Sequence, residues 1–201
     1  MVDHFRKLTG NETPRSPDLG LADATVLDFW RWAFSDLCLN NVRGVFAEWL
    51  VAKLLGIELQ ASRDSWAASD LQTPDGVRIE VKCSAYIQSW EQPHGSSRIV
   101  FTGLKGRSWN PETGYSQEPT YNADLYVFCI QIEKEKSKWN ALDLNQWRFC
   151  LLSRDELVRL NNKTLSLTTL AKTTPEMTAQ EFRKAATDLL RNLAVSKSQL
   201  L

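Results

Sequence analysis

The sequence predicts a single α+β domain, an α/β sandwich of helices on a sheet. Apolar residues recur at helical spacing early in the chain and again near its end. Between those stretches lie five short segments with the alternation or apolar density of strands. No repeat or low-complexity tract breaks this order. At 201 residues, with 43% hydrophobic and 24% charged residues, the chain can bury a real core as one domain. Residues 1–20 read as a flexible lead-in, and residues 21–201 as the domain.

The lead-in is polar and holds prolines between Asn11 and Gly20. From Leu21 to Leu37, Val26, Phe29, Trp30, Ala33, Phe34 and Leu37 fall at helical spacing. Asn40 and Asn41 can cap a second helix from Val42 to Leu55, which Gly56 stops. Strands follow near Trp66–Leu71 and over Val77–Ser84, separated by the turn Thr73-Pro74-Asp75-Gly76. A third strand is expected at Ser97–Leu104. Lys105–Tyr121 then reads as loop, before strands at Leu125–Ile132 and Gln146–Leu152. Ser153-Arg154-Asp155-Glu156 and Thr178-Ala179-Gln180-Glu181 both match the capping box. The second box opens a helix with Phe182, Ala185, Ala186, Leu189, Leu190 and Leu193 on one face.

Composition narrows the function classes. Twenty-four basic and 24 acidic residues cancel, which argues against nonspecific coating of nucleic acid but leaves room for a local basic groove. Cys38, Cys83, Cys129 and Cys150 form no C-x-x-C pair, and His4 and His94 are the only histidines. Such spacings do not suit a zinc site, so the cysteines read as small buried hydrophobes in a reducing compartment. The eight tryptophans read mainly as core and groove material. No apolar leader or membrane span is expected, which makes the predicted location cytoplasmic.

The chemistry concentrates on one strand. In Val77-Arg78-Ile79-Glu80-Val81-Lys82-Cys83, alternation turns Val77, Ile79, Val81 and Cys83 to the core and leaves Arg78, Glu80 and Lys82 on the other face. A carboxylate there can hold a hard divalent cation, and the ammonium can act on the attacking water and meet charge on a phosphate. Asp70 lies across the hairpin, about 4.8 Å away in strand spacing, so two carboxylates can converge. Asp64 is a weaker substitute for it, and Asp75 reads as a turn residue. Glu48 sits in a helix apolar nearly all round, so its buried charge requires a partner. The options are a metal-bound water or, less favoured by their side of the helix, Arg43 or Lys53.

Glu48 in a first helix, Asp70, then Glu80-Val81-Lys82 resembles the PD-(D/E)XK, or restriction-endonuclease-like, nuclease superfamily. Arg43-Gly44-Val45-Phe46-Ala47-Glu48, the run Gly76–Trp90 and Ala123–Cys129 resemble one group of small uncharacterised bacterial proteins within it. Ser69 stands where the motif name has proline. The resemblance implies an α-β-β-β-α-β core with a central mixed sheet flanked by helices. It implies a Mg²⁺-dependent nuclease, with Mn²⁺ as substitute, and most members cut DNA. Restriction, repair and defence are the expected settings. Asp70, Glu80 and the Val81 carbonyl would hold the ion. Lys82 would act on the water, and Glu48 would bind through water or a second ion.

For substrate contacts, Gln88 shares the Glu80 and Lys82 side if the strand continues, and Arg43 falls in the matched motif. Arg98, Lys105 and Arg107 stand in a stretch from Gln92 to Pro111 without acidic residues, together with Phe101 and Trp109. Many DNA-cutting members act as homodimers. The C-terminal helix could supply such an interface or pack on its own sheet, and its one-sided apolar stripe favours the sheet. The alternative function is a catalytically silent module that binds nucleic acid or a protein partner on the same fold.

Overall fold

The computed structural model describes residues 7–15, 21, 23–59, 61–65, 67–110 and 112–199, with Asn110 described by its backbone alone. Expectations on His4, on Trp66 and on residues 1–6 and 16–20 of the lead-in lie outside that set.

Two helices lead, α1 (Val26–Phe34) and α2 (Asn40–Leu55). They are followed by β1 (Leu71–Gln72), β2 (Arg78–Ala85), β3 (Val100–Phe101), β4 (Trp109–Asn110), β5 (Gly114–Tyr115), β6 (Leu125–Gln131) and β7 (Trp147–Ser153). The chain ends with α3 (Arg154–Leu160), β8 (Leu165–Ser166), α4 (Leu167–Ala171) and α5 (Ala179–Ser198). The main sheet has the order β1-β2-β6-β7 and is mixed. β2 and β6 run parallel, while β1–β2 and β6–β7 are antiparallel.

Alternation explains which residues the sheet turns where. Ile79, Val81, Val127, Cys129, Trp147 and Phe149 pack on one face with α2 and α5. Tyr126, Phe128, Ile130, Cys150 and Leu152 pack on the other, against Ile99, Phe101, Leu104, Leu157, Leu165 and Leu170. Covered on both sides, β6 is buried at every residue, which is why it reads as a continuous apolar run. The C-terminal helix lies on its own sheet: Phe182 and Ala186 are buried, with Leu189, Leu190 and Leu193 packed beside them. Its Thr178–Glu181 capping box and that of Ser153–Glu156 are both formed.

Several local expectations need correction. The first helix starts at Val26, because Thr25 and Asp28 form a capping box that fixes its end there. It buries no residue, and Phe29, Trp32 and Phe34 are exposed. Asn40 and Asn41 lie inside α2, whose N-cap is Leu39 with no side-chain bond. Gly56 does end it, in the left-handed conformation at φ 69°. The first strand shrinks to Leu71–Gln72. The Ser97–Leu104 strand shrinks to Val100–Phe101 and pairs with β8 away from the main sheet. The two edges of β2 are already taken by β1 and β6, so no edge is left for it. The expected loop Lys105–Tyr121 contains the hairpin β4–β5. Among the described residues, the connection from β2 to β6 contains no helix, so the order departs from α-β-β-β-α-β at that crossover.

Cys38, Cys129 and Cys150 are buried and unbridged, as expected of small hydrophobes, and Cys83 is half-buried. Among the described tryptophans only Trp147 is completely enclosed, while Trp32, Trp49, Trp90 and Trp109 are exposed. No described helix is long and apolar enough to cross a membrane.

Candidate active site

The hairpin β1–β2 positions the acidic pair. Leu71 stands opposite Ile79 and Gln72 opposite Arg78, so continuing the ladder by one residue sets Asp70 opposite Glu80. The turn between the strands is closed by Gly76 N–H to the Thr73 carbonyl and Thr73 N–H to the Val77 carbonyl, with Asp75 at its tip as a turn residue. Asp70 is tied to the neighbouring strand directly: its Oδ2 accepts the Val81 N–H at 2.8 Å. On β2, Ile79 and Val81 are buried while Glu80 and Lys82 are half-buried on the opposite face. Lys82 Nζ donates to Glu80 Oε1 at 2.7 Å. Gly103, at φ 61°, passes close to that ammonium and presents no side chain to crowd it.

Asp70 and Glu80 line one cleft of about 640 Å³. Gly103, Leu104, Arg107, Trp109, Tyr115 and Tyr126 form much of the rest of its wall. Burial, followed by the nearby charges of Glu80 and Glu48, pushes the Asp70 carboxyl up to about 7. The Val81 amide and Lys82 oppose that shift without cancelling it. Asp70 therefore feels both its burial and the charges of two further carboxylates.

Glu48 is buried in α2, as its helix predicts, at 8% exposure. Its partner is neither Arg43 nor Lys53. The Arg63 guanidinium donates to Glu48 through Nε at 2.5 Å and through Nη2 at 2.7 Å. The same Nη2 stands 3.8 Å from Asp70 Oδ1, and Nη1 donates to Ser65 Oγ at 3.0 Å. Arg63 is a site residue that sequence reading missed. Glu48 faces an adjoining hollow, with Arg63, Asp64 and the far side of Asp70. Among the described residues, no three His, Cys, Asp or Glu side chains are placed to hold one metal ion together. The expected meeting of three acids and one ammonium in a single cleft thus becomes two acids lining the cleft, with the Lys82 ammonium bonded to Glu80 beside it and Glu48 in the adjoining hollow on Arg63.

Two proposed substrate contacts are internal struts. Arg43 is 2% exposed and donates to the Cys38 carbonyl at 2.7 Å, to Gln88 Oε1 at 3.1 Å and to Asn40 Oδ1. Gln88 is buried because β2 ends at Ala85, and its amide donates back to the Ala85 carbonyl at 2.8 Å. Neither faces the cleft. Lys105 donates to Asn161 Oδ1 at 3.0 Å and lies over the Tyr121 ring at 4.9 Å. Arg98 is exposed outside the cleft lining. Arg107 is brought to the cleft beside the acidic pair.

Asp124, at the start of β6, was also not anticipated as a clamp. It accepts the Arg78 N–H at 2.8 Å and the Lys197 ammonium at 2.6 Å. Burial would raise its carboxyl, but the Lys197 bond and the Arg78 amide outweigh that and hold it below the usual range.

Compared with known proteins, the sequence matches no family model, and no curated protein matches it.

Proposed function

We propose that this chain is a Mg²⁺-dependent phosphodiesterase acting on nucleic acid, DNA first, as a cytoplasmic endonuclease of restriction, repair or defence type. Under this proposal its fold is a variant of the restriction-endonuclease-like core. The observation that carries the reading is the shared cleft of Asp70 and Glu80, with Lys82 hydrogen-bonded to Glu80 beside it.

The donor chemistry fits a hard divalent cation: two carboxylates and the Val81 carbonyl on a strand fixed by the Asp70–Val81 bond. Bound there, Mg²⁺ or Mn²⁺ would supply Lewis-acid polarisation of a phosphoryl oxygen. The chain's own groups do the rest. Lys82 can pass its hydrogen bond from Glu80 to an attacking water or to charge developing on the phosphate. Arg107 offers a guanidinium to a flanking phosphate. Arg63 keeps Glu48 paired, so helix α2 can carry a buried carboxylate behind the cleft.

The test is cleavage of linear, supercoiled, single-stranded and branched DNA, and of RNA, by purified protein with Mg²⁺ or Mn²⁺. Cleavage lost in Glu80→Ala and in Lys82→Ala supports the proposal. Cleavage that survives both substitutions is contamination and overturns it. The Arg63 guanidinium on Glu48 favours one second reading, a silent binding module whose acidic cluster is neutralised internally. Binding without cleavage across the whole panel would select that reading.

A further inference from the structure

The proposed hydrolase leaves open which form of nucleic acid the cleft receives, and the hairpin β4–β5 bears on that choice. Trp109 and Tyr115 are direct partners across this two-stranded ribbon, so their side chains leave the same face. Both line the cleft that holds Asp70 and Glu80. Both are largely bare, at 62% and 58% exposure. Large aromatic rings at such exposure contribute little to a core.

The ribbon is also held in place. Ser116 N–H donates to the Ser108 carbonyl at 2.8 Å, and Ser108 N–H donates to Ser116 Oγ at 3.2 Å. Gly106 and Thr120 exchange both backbone bonds at 2.9 Å, and the Asn122 amide donates to the Gly106 carbonyl at 3.1 Å. The two rings are thus presented at the mouth of the cleft by a bonded stem.

Exposed aromatic faces beside a phosphate-handling centre suit nucleobases that are out of their own stack. In an intact duplex those faces are covered by neighbouring base pairs, whereas an unpaired base can lie on a side-chain ring. Charge points the same way. Arg107 lines this cleft, while Lys82 and Arg63 beside it are bonded to Glu80 and Glu48, and the whole chain carries no net positive charge with which to grip two phosphate backbones. We propose that the cleft takes single-stranded nucleic acid, with one or more unpaired bases stacked on Trp109 and Tyr115 next to the phosphate presented to Asp70 and Glu80. This assignment rests on the phosphodiesterase reading for the identity of the centre, but stacking can be measured without turnover.

The experiment is fluorescence anisotropy with the full chain in Ca²⁺. The probes are labelled oligonucleotides of about 15 residues, as single-stranded DNA, as single-stranded RNA of the same sequence and as blunt DNA duplex. The expected result is tighter binding of at least one single strand than of the duplex. Trp109→Ala and Tyr115→Ala should each weaken the single strand by about tenfold and leave the duplex unchanged, while Trp109→Phe retains most of the affinity. The DNA and RNA arms then identify the sugar. Duplex bound as tightly as either single strand, single-strand affinity indifferent to both alanine variants, or no binding at all by the unmodified protein would each overturn the proposal. Cleavage run in parallel with Mg²⁺ separates the two readings. Equal cutting of duplex and single strand, unaffected by Trp109→Ala, sinks the stacking proposal and leaves the hydrolase standing. Single-strand binding that depends on Trp109, with nothing cut, does the reverse.

Discussion

The Asp70 carboxylate accepts the Val81 backbone N–H, so the loop-end acid of the site is fastened to the strand that carries Glu80 and Lys82. This bond opposes the upward push that burial, Glu80 and Glu48 exert on the Asp70 carboxyl, without cancelling it. Asp70 in the folded protein therefore holds its proton to about pH 7, against an ordinary value of 3.8. The folded state binds more protons than the unfolded state between those values, so this group's stabilising contribution is full below 3.8 and is lost as pH rises to 7. Asp70→Asn keeps an oxygen for the Val81 N–H and removes the repulsion. In EDTA it should unfold at higher denaturant concentration than the unmodified chain at pH 8, with the gap closing toward pH 4. Denaturant curves at the two pH values check this.

Arg63→Gln should strand the Glu48 charge in a buried place and cost about 3 kcal/mol of stability. Glu48→Gln combined with Arg63→Gln should recover most of that loss. A double-mutant cycle of urea midpoints reads the coupling, and additive losses would mean that the pair contributes little.

Arg43→Ala should destabilise the fold by about 3 kcal/mol while leaving nucleic-acid affinity per folded molecule unchanged. The reason is its burial and its bonds to the Cys38 carbonyl and Gln88. Chemical denaturation and an anisotropy titration of the same sample separate the two effects.

Asp124→Ala removes the acceptor shared by the Arg78 amide and Lys197, which also donates to the Gly76 carbonyl at 2.7 Å. Loss of about 1–3 kcal/mol is expected. Because the Asp124 carboxyl lies below 3.8 in the folded chain, its contribution is present above pH 3.8 and disappears as pH falls through the folded value. The variant should accordingly show a shallower acid-unfolding limb. Hydrogen exchange at the start of β2 would report the freed amide.

The parts legible in the sequence were those governed by local rules. Alternation in Val77–Cys83 announced which side chains share a face, and the Ser153 and Thr178 boxes announced two helix starts, because each depends on residues a few places apart. The Asp70–Glu80 opposition was legible through the Thr73–Gly76 turn, which sets the register. Arg63 was not, since it lies in an aperiodic stretch and reaches Glu48 across fifteen positions. Gln88 was misplaced by extending β2 past Ala85, where the strand pairing stops. The Ser97–Leu104 segment announced a strand, of which only Val100–Phe101 forms, and was silent about which edge would accept it. Only the whole sheet decides that.

The parallel join of β2 to β6 has a consequence for how the molecule could diversify. A chain leaving the far end of β2 must travel back along the sheet before β6 can begin, and residues 86–124 make that journey past the face that carries Glu80 and Lys82. Insertions or trims within this return path can reshape what the cleft would grip without touching the hairpin or strand that, under the proposal, would carry out hydrolysis. Related chains would be free to exchange target preference while inheriting the same chemistry.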